Sequence, residues 1–482
     1  MNLIPSISVT SNLIAGLLAV SPVMAQKAAT LPEARPNVLL ILSDDHSAPY
    51  LGCYGNPDLK TPNIDRIANE GILFKRAYTA APQCVPSRAS ILSGRNVLDA
   101  QMLRFSAPLD KSILTFPEVL RKAGYYTGIC GRSYHLDGSG KQNMPPETAK
   151  TFEEFGMVTF KDRVDYLNTG SDGQVLAQVA EFLDQAPSNK PFSMWVNYSD
   201  PHRIFNAKDY EPDPEKIHVP DLMPDTKLLR QDLAGYLGEI QRLDYYIGLL
   251  LAELEKRGKL DNTLIVFMGD NGGALIRGKG TLYDCGLHVP LLVRWPGKIK
   301  PGKSADILVS GEDIAPTLIE AAGLGPVEEM TGKSFLQTLT GHEQAIREYV
   351  YAVRGTHAAG LPGNSATFDM SRVVFNKKYK LIYNPLFQLP YQPVDFNGNK
   401  FWQELVQLNK EGKLDKRFGG TILFAGQRPM FEFFDLEKDP GEFVNLSGLE
   451  EYREAEHQMK AALHRWMIIY RDVVPLPIPV SK

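Results

Sequence analysis

The sequence predicts an α/β protein: a large, mostly parallel central sheet sandwiched by helices, then a smaller C-terminal unit with a short antiparallel sheet and a helix. Three observations carry this prediction. Asn37–Leu42 (NVLLIL) and Thr263–Met268 (TLIVFM) are apolar without alternation, the pattern of strands covered on both faces. Helical stretches alternate with such runs, as in parallel βαβ units. Past Gly341 the texture changes to short β-rich pieces separated by Gly, Asn and Pro.

In chain order, Asn37–Leu42 is the first strand and ends in Ser43-Asp44-Asp45-His46. Thr61-Pro62 opens a helix over NIDRIANEGILF, offering a cap hydroxyl and a proline in the first turn. Pro82 and Pro86 restrict the backbone around Cys84, and Ser87 can cap a helix from about Arg88. Tyr126–Cys130 and Phe192–Asn197 read as further strands, followed by a long amphipathic helix over about Leu229–Arg257 and the strand Thr263–Met268. Tyr349–Val353, Arg372–Phe375 and Tyr379–Tyr383 supply the small sheet, and a helix over about Glu450–Tyr470 closes it. The boundary falls between Leu339 and Glu348, giving a catalytic unit over 26–345 and a C-terminal subdomain over 346–482.

Bulk properties narrow the function. A chain of 482 residues, 43% of them hydrophobic, has ample material for a core. A net charge of -4 lacks the basic excess of a nucleic-acid binder, although it says nothing against a local basic pocket. Leu13–Val20 is an apolar run too short to span a bilayer, and Val23-Met24-Ala25 supplies a small residue before Gln26. Residues 1–25 are therefore expected to be a signal peptide, with the mature protein periplasmic or secreted, and no later segment reads as a membrane span. Cys53, Cys84, Cys130 and Cys285 are scattered without a CxxC spacing, which argues against a zinc cluster.

The chemistry gathers at strand ends, where ligands bind in open α/β sheets. Asp44-Asp45 and Asp270-Asn271 each follow an apolar strand, and together they offer oxygen donors for a hard divalent cation. Asp and Asn also shape turns, so either pair alone would carry less weight. Cys84 stands near a helix start beside Arg88, which favours an anion or a reactive group there.

CVPSRASILSGR, from Cys84, resembles the signature of the formylglycine-dependent sulfatases, a branch of the alkaline-phosphatase-like superfamily. SDDHS and GDNGG are similar to that family's two metal-binding strand ends, GYYTGICGRSYH and SDPH to its histidine motifs, and KGTLYDCGLHVPLLVRWPG to its lysine block. FFDLEKDPGEFVNL resembles its C-terminal segment. The EIQRLDYYIG helix, the PHR motif and the spacing of GRSYH look closest to exported sulfatases of sulfamidase and iduronate-sulfatase type.

The resemblance implies that a formylglycine-generating enzyme converts Cys84 to 3-oxoalanine, whose hydrate is the nucleophile. A diol can attack sulfur with one hydroxyl and expel sulfate by re-forming the aldehyde, which a serine could not do. It further implies Ca2+ held by Asp44, Asp45, Asp270, Asn271 and the modified Cys84, with Arg88 steadying the diol. His135 would be the base that discharges sulfate, His202 would contact sulfate and protonate the leaving atom, and Lys279 would clamp a sulfate oxygen. Arg132, Arg203 and His288 would face the substrate, a sulfated saccharide attacked from its end. Arg354 and His357 are weaker candidates for that role. Arg132 stands where many members carry lysine and His288 where many carry arginine, so sulfate contacts in detail depart from the family pattern. Cleavage of an N-sulfate by the same residues, a phosphomonoester or phosphonate ester hydrolase, and a glycan-binding protein with a dead site are the competing readings.

Overall fold

The computed structural model describes residues 35–105, 108–135, 146–158, 160–357, 368–421 and 423–477. The predicted signal peptide lies outside the described residues. Eight strands form the large sheet: β1 (Asn37–Ser43), β2 (Ile72–Tyr78), β3 (Tyr126–Gly131), β4 (Tyr166–Leu167), β5 (Phe192–Asn197), β6 (Thr263–Gly269), β7 (Leu291–Arg294) and β8 (Lys303–Ser310). Their order is β4-β3-β5-β1-β6-β7-β2-β8, and only β7 runs antiparallel to its neighbours. β9 (Val350–Val353), β10 (Arg372–Phe375), β11 (Tyr379–Tyr383) and β12 (Phe431–Asp435) make a second, antiparallel sheet in the order β12-β11-β10-β9.

β1 is central and buried along its whole length, which is why NVLLILS carries no polar alternation. Its register aligns Leu42 with Asn197 of β5 and Ser43 with Gly269 of β6, so three strands finish at one level. The small sheet is not a separate body. Val350, Val373 and Phe375 pack with Tyr78, Leu308 and the Leu282–Leu287 segment. Its other face meets the helix Arg453–Ile469, where Trp466 stacks on Tyr351 with ring centroids 4.9 Å apart.

Two sequence expectations need correction. The helix predicted over NIDRIANEGILF, α1 (Pro62–Asn69), stops short, and its last apolar residues start β2. Gly71 runs so close to β7 that an added Cβ would lie 2.0 Å from the Val293 carbonyl oxygen, so a helix cannot continue through it. Nor does the Thr61 hydroxyl cap α1: it donates to Asp65 Oδ1 (3.0 Å) and accepts from the Gly52 N–H (3.0 Å). The long helix spans Lys227–Lys256, and Thr226 does cap it by accepting from the Leu229 N–H. Among the described residues, no helix is long and apolar enough to cross a membrane.

Candidate active site

Asp44 and Asp45 follow β1, Asp270 and Asn271 follow β6, and Asn197 ends β5; all five are fully buried. Backbone hydrogen bonds lock the two acidic pairs together: Asp270 N–H donates to the Ser43 carbonyl (3.0 Å) and Asp45 N–H to Asp270 Oδ1 (2.9 Å). Asn271 Nδ2 donates to Asp45 Oδ1 at 2.9 Å. Asp45 itself adopts a left-handed backbone, φ 61°, which turns its carboxylate into the cluster. Gly272 must be glycine, since a Cβ there would meet the Cys285 carbonyl at 2.0 Å.

Ligand atoms of Asp44, Asp45, Asp270 and Cys84 all lie within 4.8 Å of one another. Burial, then the Asp44 charge, pushes the Asp270 carboxyl up to about 7. At Asp44 burial pushes the same way, but the Arg132 and Arg88 guanidiniums outweigh it and hold the carboxyl well below its usual range. Protein cations thus leave part of the cluster's negative charge unmet. Asn271 Oδ1 is also buried without a hydrogen-bond partner. Hard oxygen donors, surplus negative charge and an orphaned amide oxygen fit a divalent cation of the calcium class.

The helix carrying Cys84 is α2 (Cys84–Ser93), buried throughout. It begins at Cys84 itself, not near Arg88, because a proline in the first turn needs no intrahelical N–H bond. Ser87 is therefore no cap; its hydroxyl donates to the Asp270 carbonyl (2.5 Å) and accepts from Thr79 Oγ1 (2.7 Å). Cys84 Sγ lies 3.2 Å from Asp44 Oδ1 and 3.7 Å from Asp45 Oδ1. Burial and then the Asp44 charge push the thiol well above its usual range, with Lys279 opposing. Burial and the neighbouring carboxylates thus disfavour a thiolate at Cys84, although the residue stands at a helix start beside Arg88.

Arg88 binds three strand ends at once. Its Nε reaches Asp270 Oδ2 (2.9 Å), Nη1 reaches Asn197 Oδ1 (2.9 Å) and Nη2 lies 3.1 Å from Asp44 Oδ2. Arg132 Nε lies 2.8 Å from the same Asp44 oxygen, and His135 Nδ1 lies 3.7 Å from it. Burial, aided by Arg132, drives the His135 pKa well below its usual value, which favours the neutral ring. His202 Nε2 stands 3.8 Å from Asp45 Oδ2, and burial followed by Lys279 lowers its pKa as well. Its Nδ1 pairs with the Arg203 carbonyl, which places the hydrogen on Nδ1 and a lone pair on Nε2. Lys279, only 1% exposed, sits 2.9 Å from Asp45 Oδ1; burial opposes its charge, but Asp395 and Asp45 hold the ammonium well above its usual range.

The predicted substrate contacts divide. Arg132 is at the cluster. Arg203 instead forks onto Asp232, donates to the Ala274 carbonyl (3.0 Å) and lies over the Phe205 ring. His288 is outside the cluster: it packs on Tyr78, its Nε2 is 3.0 Å from the Lys75 carbonyl, and its charged neighbours are Asp284, Lys380 and Arg76. Arg354 pairs with the Gly280 carbonyl and Asp369, whereas His357 Nε2 lies 3.8 Å from Asp395 Oδ1.

Sequence reasoning missed Asn197 and Asp395. Asn197 was within reach of the strand-end rule, since it closes an apolar strand as Ser43 does. Asp395 lies 2.6 Å from Lys279 Nζ and 3.8 Å from His202 Nε2. It sits in a loop at φ 65° between buried Val394 and Phe396, with no preceding strand to point to it.

Comparison with known proteins agrees with this geometry. The sulfatase family model matches residues 36–324, and the model for the C-terminal part of N-sulphoglucosamine sulphohydrolase matches 276–388. An ulvan-active sulfatase of Formosa agariphila is 31% identical over 487 residues, covering 93% of this chain and 77% of that protein. N-sulphoglucosamine sulphohydrolase of Homo sapiens is 27% identical, covering 90% of this chain and 91% of its own. A structure solved in complex with its substrate D-glucosamine-2-N,6-O-disulfate superposes with a TM-score of 0.67 at 21% identity, covering 91% of this chain and 99% of that one, a likeness of fold. With a buried oxygen cluster beside Cys84 and matches of this extent, the chain belongs to the sulfatase family, hydrolases of sulfuric esters.

Proposed function

We propose that this sulfatase is exported and removes sulfate from the end of a sulfated saccharide, with Cys84 matured to formylglycine and calcium held by Asp44, Asp45, Asp270 and Asn271. The observation that carries the reading is the convergence of Arg88, Arg132, His135, His202 and Lys279 on the carboxylates around one buried cysteine. Matured Cys84 would supply a hydroxyl nucleophile that can be regenerated after each turnover, and a cation held by the four donors would polarise that nucleophile and the sulfate oxygens. Arg88, fully buried, pairs with Asp44 and Asp270 and holds them in place. Lys279 and Arg132 meet the negative charge of the arriving sulfate. His135, kept neutral, takes the proton whose removal releases the product. His202 accepts a proton on Nε2 as the anionic substrate arrives and passes it to the leaving atom, a role Lys279 shares. In this reading residues 26–345 supply the chemistry, and the C-terminal part from 346 contributes His357 and Asp395 to the wall.

Cleavage of an N-sulfate is the second reading, favoured by the match of residues 276–388 to the N-sulphoglucosamine sulphohydrolase C-terminal model. A panel of defined sulfated mono- and disaccharides, including N-sulfated glucosamine, with phosphate monoesters alongside, separates the readings. Preferred phosphate turnover would overturn the sulfatase reading of the substrate. Intact-mass analysis of the Cys84 peptide from the native host tests maturation, and an unmodified thiol there would favour a dead site.

A further inference from the structure

The segment Asp439–Phe443, part of the C-terminal motif FFDLEKDPGEFVNL, is not a free surface turn. It grips both ends of the loop that carries Lys279. At one end Arg277, 2% exposed, donates from Nη2 to the Gly441 and Glu442 carbonyls at 2.8 Å each. Its guanidinium lies between two rings, 4.2 Å from the centre of Tyr283 and 4.5 Å from that of Phe443. At the other end Glu442 Oε2 accepts from the Asp284 N–H (2.7 Å), while Oε1 lies 2.6 Å from Lys380 Nζ, which also pairs with Asp284. Arg277 and Glu442 both hold left-handed backbones, φ 60° and 57°, conformations that persist only where surrounding contacts enforce them. Asp439 closes the gripping turn by accepting from the Phe443 and Val444 N–H groups at 2.7 and 2.8 Å.

Between the two anchors, Lys279 N–H donates to the Gly273 carbonyl (2.7 Å) and Gly280 N–H to the Pro82 carbonyl (2.9 Å), two residues before Cys84. A lysine has a long flexible stem, so the place of its ammonium depends on where the backbone sets its root. We propose that Asp439–Phe443 is a clamp that positions Lys279 against the sulfate site, with Arg277, Glu442 and Lys380 as positioning residues. The proposal rests on the reading of Lys279 as a sulfate contact.

The test is a double-mutant cycle on the mature, calcium-loaded enzyme with 4-nitrophenyl sulfate. Arg277→Met is expected to lower kcat/KM by about tenfold or more, mainly through kcat. In a Lys279→Met background the same change should cost less than about twofold, because the group being positioned is gone. Glu442→Gln, milder in shape, should lower kcat/KM in the same direction and carries the cycle if Arg277→Met does not fold. Arg372→Met breaks a buried pair with Asp472 in the small sheet and serves as the control; it should lower the melting temperature without lowering kcat/KM well below that temperature. Thermal stabilisation by inorganic sulfate gives a second readout independent of turnover, and it should shrink in Arg277→Met but not in Arg372→Met. Unchanged kcat/KM in Arg277→Met and Glu442→Gln, or an equal loss with and without Lys279, would overturn the clamp. Full activity of Lys279→Met alone would overturn the reading of Lys279 and the clamp with it.

Discussion

Asp44, Asn197 and Asp270 leave strands whose backbone register sets their positions, whereas Lys279, His357 and Asp395 reach the same cluster from loops. The strand-end side needs little else to be rigid, because adjacent strands share hydrogen bonds along their length. The facing wall has no such frame. It uses ion pairs and left-handed residues, Asp395 and Arg277 among them, fixed by packing from distant parts of the chain. The lesson is a division of labour: the ends of central strands fix the buried carboxylates, and the loop wall brings Lys279, Asp395 and His357 against them.

Mutations should expose that division. Cys84→Ala is expected to cost the most, lowering turnover by at least about a thousandfold, since in the proposed mechanism it removes the precursor of the nucleophile. Steady-state assays check this, and an active variant would end the mechanism. Chelation should come next, lowering turnover by about a hundredfold until calcium is restored. Folded Asp270 without a cation is raised from 3.8 to about 7, so between those values the folded state binds more protons than the unfolded one. The Asp270 contribution to the stability of the chelated protein should therefore fall as pH rises from about 4 to 7, and thermal unfolding of the chelated protein beside Asp270→Asn at several pH values isolates it from the opposite contributions of His135 and His202. On the loop wall, Asp395→Asn should be milder, lowering kcat/KM by about tenfold by loosening Lys279 while leaving calcium affinity near wild type. Equal losses of calcium binding in Asp395→Asn and Asp270→Asn would erase the distinction between the two sides. Cys285→Ala should change kcat/KM by less than about twofold: burial raises its thiol to about 11, and it stands behind the wall, not in the cluster.

The two sides also differed in legibility. NVLLILSDD and TLIVFMGDN announce themselves, because a strand buried on both faces must be apolar and its polar exit is then conspicuous. Phe192–Asn197 and Arg372–Phe375 were bounded to the residue for the same reason. β2, β7 and β8 went unread: Gly71 marks a close approach to β7 that only the neighbouring strand reveals, and KSADILVS at the sheet edge mixes exposed and buried positions. Arg203 and His288, chosen for their neighbours in the chain, turned out to be held by Asp232 and by Tyr78 with the Lys75 carbonyl.

The linear order of residues sufficed for the α/β class, the two acidic strand ends and the cysteine beside Arg88, since apolar runs and their polar exits depend on local burial alone. It could not decide that burial and the Asp44 charge push the Cys84 thiol up, or that Asp395 and Glu442 serve the lysine loop. Those outcomes depend on groups brought together across 40 residues for Cys84 and Asp44, 116 for Lys279 and Asp395 and 158 for Asp284 and Glu442, and Coulomb energy and desolvation act through space.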